Sequence, residues 1–169
     1  MFGRILGLAL LLYGGYMVIR NSLRAQLQAK YADAAATDPT GAAVDIVART
    51  IWGEARGEGD TGMQAVADVI VNRVANPGWW GTDFISVCLA PSQFSCWNAG
   101  DPNATLAASV TADDPAFADA LQIASAAVAG TLPDITGGAT SYFNPAGGIP
   151  SWAASMTETA QIGHHVFYA

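Results

Sequence analysis

Apolar residues recur at positions 44, 47, 48, 51, 52 and 55, the i, i+3, i+4, i+7 spacing of a helix that buries one stripe, and Gly57 and Gly59 end the pattern. A second stripe, Met63, Val66, Ala67, Ile70 and Val74, predicts a helix from Thr61 to the Asn76-Pro77-Gly78 break. Two amphipathic helices this close in sequence pack as a hairpin. Asp114-Pro115 supplies an N-cap and a proline for the first position of a third helix; Phe117, Leu121, Ala124 and Val128 give its stripe and Gly130 its stop. Residues 78–113, rich in Trp, Pro, Asn and Gly, show little periodicity and predict a long structured loop region of the kind that carries function. Residues 139–144 (ATSYFN) and 161–168 (QIGHHVFY) are β-prone and predict a small antiparallel sheet. The class is α+β, mostly helical.

The amino terminus breaks this pattern. Residues 5–19 are fifteen uncharged residues between Arg4 and Arg20, about 22 Å of helix against a hydrocarbon core of about 30 Å. An uncleaved anchor is the favoured reading. A cleaved signal is the rival, but the nearby small-x-small site, Ala32-Asp33-Ala34, lies far beyond the apolar stretch. A helix docking on a partner protein is the third reading. More basic residues follow the stretch than precede it, which points the wrong way for export. Residues 21–37 read as a polar, Ala-rich helical stalk ending at Asp38-Pro39-Thr40-Gly41, so the chain divides into residues 1–20, 21–43 and 44–169.

Charge sharpens the division. The 169 residues carry 7 basic and 14 acidic side chains, a net −7. Four basic and two acidic residues lie before position 44 (+2), against three and twelve after it (−9). The acidic part offers no field for nucleic acid. With 51% hydrophobic and 12% charged residues, disorder through excess charge is excluded.

On the first helix, at about 100° per residue from Val44, Glu54 falls at about 280°, on the border of the apolar stripe. Asp45, Arg49, Gly53 and Arg56 fall on the opposite side, expected to be solvated. Partial desolvation favours the neutral form of a carboxyl, the form a general acid needs. A continuing helix would stack Glu58 beside Glu54; the alternative is that either Glu pairs with Arg49 or Arg56. His164 and His165 are adjacent, point to opposite faces of a strand and cannot chelate one ion together, so no metal is expected. Cys88 and Cys96, an even count in an exported domain, favour a disulfide.

The run from Ala48 to Val74, ARTIWGEARGEGDTGMQAVADVIVNRV, resembles the opening of the SleB-like cell-wall hydrolases, whose founding members lyse the spore cortex. Pro91-Ser-Gln-Phe-Ser95, Thr140-Ser-Tyr-Phe-Asn-Pro145 and Ile162-Gly-His-His-Val-Phe-Tyr168 resemble later segments of that family in the same order. The resemblance implies a lysozyme-like catalytic domain, an exported envelope-side enzyme, peptidoglycan glycan strands as substrate, and Glu54 as the catalytic acid, with no cofactor. Founding members resemble lytic transglycosylases, which need one carboxyl; ordinary hydrolysis needs a second, for which Glu58 and Asp60 are the nearby candidates. Gln93, Tyr142, Asn144 and His165 are expected in the cleft because they sit in matched segments. Trp80 and Trp97 are weaker candidates for sugar faces, alongside Trp79 and Trp152. Two rival readings remain: a thiol peptidase using Cys88 or Cys96 with His165, and a wall-binding or particle-structural protein without turnover.

Overall fold

The computed structural model describes residues 23–169. The apolar stretch 5–19, and with it the anchor, signal and docking readings, lies outside them. Among the described residues no helix is long and apolar enough to cross a membrane.

Residues 23–37 (α1) are helical, as the Ala-rich composition predicts, but they are not a free stalk. Leu27 and Tyr31 are buried in the main core. Arg24 donates to the carbonyls of Leu89 and Trp97 at 3.2 and 3.0 Å, and the Tyr31 hydroxyl donates to Asp45 at 2.7 Å. Asp38 alone interrupts the helical run. Its carboxylate accepts from the Gly41 amide and Pro39 takes the first helical position, so α2 (Pro39–Ala55) begins five residues before Val44. The expected boundary at 43 therefore falls inside a helix.

A 3-10 turn at Arg56–Glu58 and Gly59, at φ 66°, reverse the chain into α3 (Gly59–Ala75). The predicted hairpin forms. Residues 78–113, expected as loop, contain α4 (Phe84–Cys88), a 3-10 turn at Ser95–Trp97 and α5 (Asn103–Ser109). Each is too short to show a period, although Asp83 and Ser86 cap α4 reciprocally. The third long helix, α6 (Pro115–Val128), starts at its Asp114 cap and stops before Gly130 as predicted.

Helix α2 packs against α3, α4, α5 and α6 and is the central element. Its supposedly solvated side is therefore covered: Gly53 is buried, and Arg49 donates to the carbonyls of Ala107 and Val110 as well as to Asp45. The sheet orders β1 (Ser141–Phe143), β3 (His165–Tyr168) and β2 (Glu158–Ile162), all antiparallel. Residues 161–168, expected as one strand, are split because Gly163 takes φ 57° and turns the chain. Ala65 and Val69 of α3 meet Ala139 and Phe167 in a second, smaller core that docks the sheet on the helices.

The expected disulfide is absent: Cys88 and Cys96 are free and fully buried. Both behave as small core residues, and the Cys96 thiol donates to the Thr50 carbonyl at 3.8 Å.

Candidate active site

Glu54 lies in the last turn of α2, half-buried, where the helical wheel puts the edge of the stripe. Both of its oxygens are held. Oε1 accepts from the Ser95 hydroxyl at 3.0 Å and the Cys96 amide at 2.6 Å; Oε2 accepts from the Tyr142 hydroxyl at 2.7 Å. Three regions converge on one carboxylate: the end of α2, the 3-10 turn in the central region and β1. The approach is close because residue 53 is glycine, where an added Cβ would lie 2.7 Å from the Cys96 Cβ.

Tyr142 is set by the sheet. Opposite Phe167 in the ladder, it stacks on that ring at 5.5 Å and takes the His165 ring edge-on at 5.2 Å. Burial, together with the neighbouring Glu54 charge, pushes its phenol well above the ordinary value, so it donates at neutral pH. Burial also lowers the His165 imidazole, keeping it neutral, and its Nδ1 has no hydrogen-bond partner among the described residues.

Glu58 does not stack beside Glu54, because the helix ends between them. It turns to the β2–β3 hairpin instead, accepting from the His164 amide at 3.1 Å and lying 2.8 Å from the His164 ring. That contact holds the Glu58 carboxyl below its ordinary range. His164, expected to be simply exposed, is exposed but engaged.

A cleft of about 470 Å³ is lined by Arg73, Trp79, Trp80, Gln93, Tyr142 and Trp152 among others, and Glu54 is joined to it through Tyr142. Tyr142 both lines it and holds Glu54. Gln93 and Tyr142 both line it, whereas the Asn144 side chain is exposed and caps the next turn through the Ala146 amide. Trp97 is core: it is 4% exposed and its indole N–H donates to Thr50. Trp80 lines the cleft with its N–H spent on the carbonyls of Arg73 and Asn76. The thiols do not fit a nucleophile. Burial pushes Cys88 up to about 12 and Cys96 well above its ordinary value, the reverse of an activated thiol. Among the described residues no cluster of His, Cys, Asp or Glu is arranged to hold a metal.

Ser95 and the Cys96 amide, which hold Glu54, escape the sequence reading. Ser95 closes the Pro91–Ser95 segment, which is the signal for it; a backbone amide leaves none.

Comparison with known proteins gives a consistent picture. A family model described as Cell Wall Hydrolase matches residues 57–168, beginning three positions after Glu54. The chain is 34% identical over 127 residues to a spore cortex-lytic enzyme of Halalkalibacterium halodurans and 29% identical over 126 residues to one of Bacillus cereus. Each alignment covers 73% of this chain but only 34% and 43% of those relatives, so the chain spans well under half their length. Among solved structures, the catalytic domain of the germination-specific lytic transglycosylase SleB from Bacillus anthracis superposes with a TM-score of 0.58 at 29% identity, covering 75% of this chain and 93% of that one. The catalytic domain of Bacillus cereus SleB gives the same score and identity over 75% and 89%.

Proposed function

Because the chain belongs to the cell wall hydrolase family, we propose that it degrades peptidoglycan on the envelope side, cutting the glycan strand next to muramic acid with Glu54 as acid and then base. The observation that carries this reading is one carboxylate with both oxygens oriented by three donors, one of which, Tyr142, lines an aromatic cleft. The Cys96 amide can only donate, so Oε1 stays an acceptor; the Tyr142 hydroxyl can donate or accept, so the acid proton belongs on Oε2. That proton passes to the glycosidic oxygen as the bond to the anomeric carbon breaks. The carboxylate then takes the proton of the muramic 6-hydroxyl, whose oxygen closes an anhydro ring on the same carbon.

A hydrolytic outcome would need a second carboxylate to activate water or attack the sugar. Glu58 is turned to His164, with one contact on each oxygen, and Asp60 is exposed at the start of α3, whereas Glu54 is the carboxylate that Tyr142 joins to the cleft; this supports the single-carboxylate route. The test is digestion of purified peptidoglycan with product masses read out. Anhydro-muramyl ends are expected, and Glu54→Gln, nearly isosteric, should lower turnover by at least about a hundredfold. Near-normal lysis by a folded Glu54→Gln protein overturns the acid assignment. Reducing ends instead of anhydro ends overturn the transglycosylase outcome and leave a glycosidase, while released peptides place the chemistry elsewhere.

A further inference from the structure

A second cavity, of about 430 Å³, is lined by Arg24, Ala25 and Gln28 of α1 and by Pro91, Ser92 and Asn98 among others. Ser92 also lines the cleft, so the two cavities meet at this residue. The segment Pro91–Asn98 therefore serves three places at once. Ser95 and the Cys96 amide hold Glu54, Ser92 and Gln93 line the cleft, and Pro91, Ser92 and Asn98 line the second cavity. Ser92 is exposed and takes φ 62°, alone in the left-handed region among the non-glycine residues described. Such a conformation is costly and persists where its surroundings impose it. The opposite wall is built by α1. Leu27 and Tyr31 anchor that helix in the core, and Arg24 clamps it by donating to the Leu89 and Trp97 carbonyls, which flank residues 90–96. The groups this leaves for a ligand are carboxamides: Gln28 is exposed, and Asn98 is held through its backbone, by Ser95 and Asp101. A carboxamide offers both donors and an acceptor, which matches the acetamido and hydroxyl groups of an N-acetylated sugar. The wall that α1 supplies lies outside the residues matched by the family model.

We propose that this cavity is a distal sugar subsite, in which the glycan strand that Glu54 cuts continues past Ser92 to lie between α1 and the Pro91–Asn98 segment. This rests on the peptidoglycan reading above and adds a feature of the substrate: long strands, which reach both cavities, are preferred to short ones. Binding energy gained away from the scissile bond helps to position that bond, so the preference is expressed in the rate of cleavage.

The experiment measures kcat/KM per cleavable bond on a stem-free wall-glycan tetrasaccharide and on long strands of the same repeat, using the full chain. Wild type should favour the long strands about tenfold or more, the equivalent of a few hydrogen bonds. Ala25→Trp, which fills the cavity from an exposed helix position, should reduce that ratio below about threefold. Gln28→Ala, which removes one carboxamide, should reduce it in part. Because the ratio is internal to each protein, a general loss of folded enzyme lowers both rates and leaves it unchanged. If Ala25→Trp does not fold, Gln28→Ala carries the comparison, and an undiminished ratio there overturns the inference. A ratio near one in wild type, or the full preference kept by a folded Ala25→Trp protein, also overturns it and leaves the proposed function intact; no cleavage of strands of either length overturns both.

Discussion

The three donors around Glu54 are not equivalent. The Cys96 amide is fixed by the backbone, Ser95 is exposed, and Tyr142 alone also touches the cleft. Tyr142→Phe keeps the ring that stacks on Phe167 and removes only the hydroxyl. A hydrogen bond to a charged group is worth about 1.5–3 kcal/mol, so turnover on purified wall should fall about ten- to a hundredfold with little change in KM. Unchanged turnover would show that Tyr142 is a packing residue. At this scale the sequence is informative where chemistry and motif coincide: Gln93 and Tyr142 line one cleft, and Tyr142 bonds Glu54. Asn144 and Trp97 are drawn off by local needs, a turn cap and a core hydrogen bond, which residue type does not reveal. Glu58 departs from its expected place because that place depends on a helix that ends before it.

The elements that carry the site are held at a spacing set by one missing side chain. Gly53 of α2 faces the Ser95–Trp97 turn; a methyl there would come within 2.7 Å of the Cys96 Cβ and 3.0 Å of its sulfur. Neither neighbour has room to give, since Cys96 is fully buried and Trp97 next to it is bonded to Thr50 of the same helix. Gly53→Ala should therefore cost about 1–3 kcal/mol by overpacking. Its effect on turnover should be larger than its effect on thermal stability suggests, because the displaced turn carries both the Ser95 and Cys96 donors. Urea unfolding and wall turnover measured on the same protein check this; full activity in the Gly53→Ala protein would show that the close approach is not needed. Periodicity predicts all three long helices of the acidic region because each spans enough turns to display a stripe. It is blind to α4, α5 and the 3-10 turn, none longer than seven residues, and to the hairpin at Gly163, where a single left-handed glycine divides one β-prone run. The same method puts a free face on α2, since a pattern within one helix carries no information about how many neighbours will cover it.

The described residues form a helical body and a three-stranded sheet, with Glu54 on the first and Tyr142 on the second, so the site exists only while the two stay docked. Beside the small Ala65, Val69, Ala139 and Phe167 core and the packing of Tyr142, polar contacts hold the junction: Arg73 to the Thr140 carbonyl, Asn72 to the Ala139 carbonyl, Glu58 to His164, and Asp68 to the Ile135 amide at 2.9 Å. Asp68 is the member that titrates near neutral pH. It is 2% exposed; burial first, and the Asp134 carboxylate beside it, push its carboxyl up to about 7 against the opposing Ile135 amide. An unfolded Asp titrates at about 3.9, so between these values the folded protein holds a proton that the unfolded chain has lost. The stability Asp68 contributes is therefore complete below about pH 4 and declines as pH rises to about 7, by up to about 1.4 kcal/mol per unit. Other groups act in the opposite sense: the lowered His165 adds stability as pH rises through the ordinary histidine range, and Asp45, held low by Arg49 and Tyr31 against its burial, adds it at more acidic pH. The informative quantity is thus the difference between wild type and Asp68→Asn, in which those contributions cancel. The substituted amide keeps an acceptor for the Ile135 N–H and offers Asp134 a permanent donor. Relative to wild type, Asp68→Asn should gain more than about 1 kcal/mol between pH 5 and pH 8 in urea unfolding, and its wall turnover should persist further above pH 7. Parallel stability curves for the two proteins across that range would show that Asp68 does not carry the proton and that the junction is not titrated there.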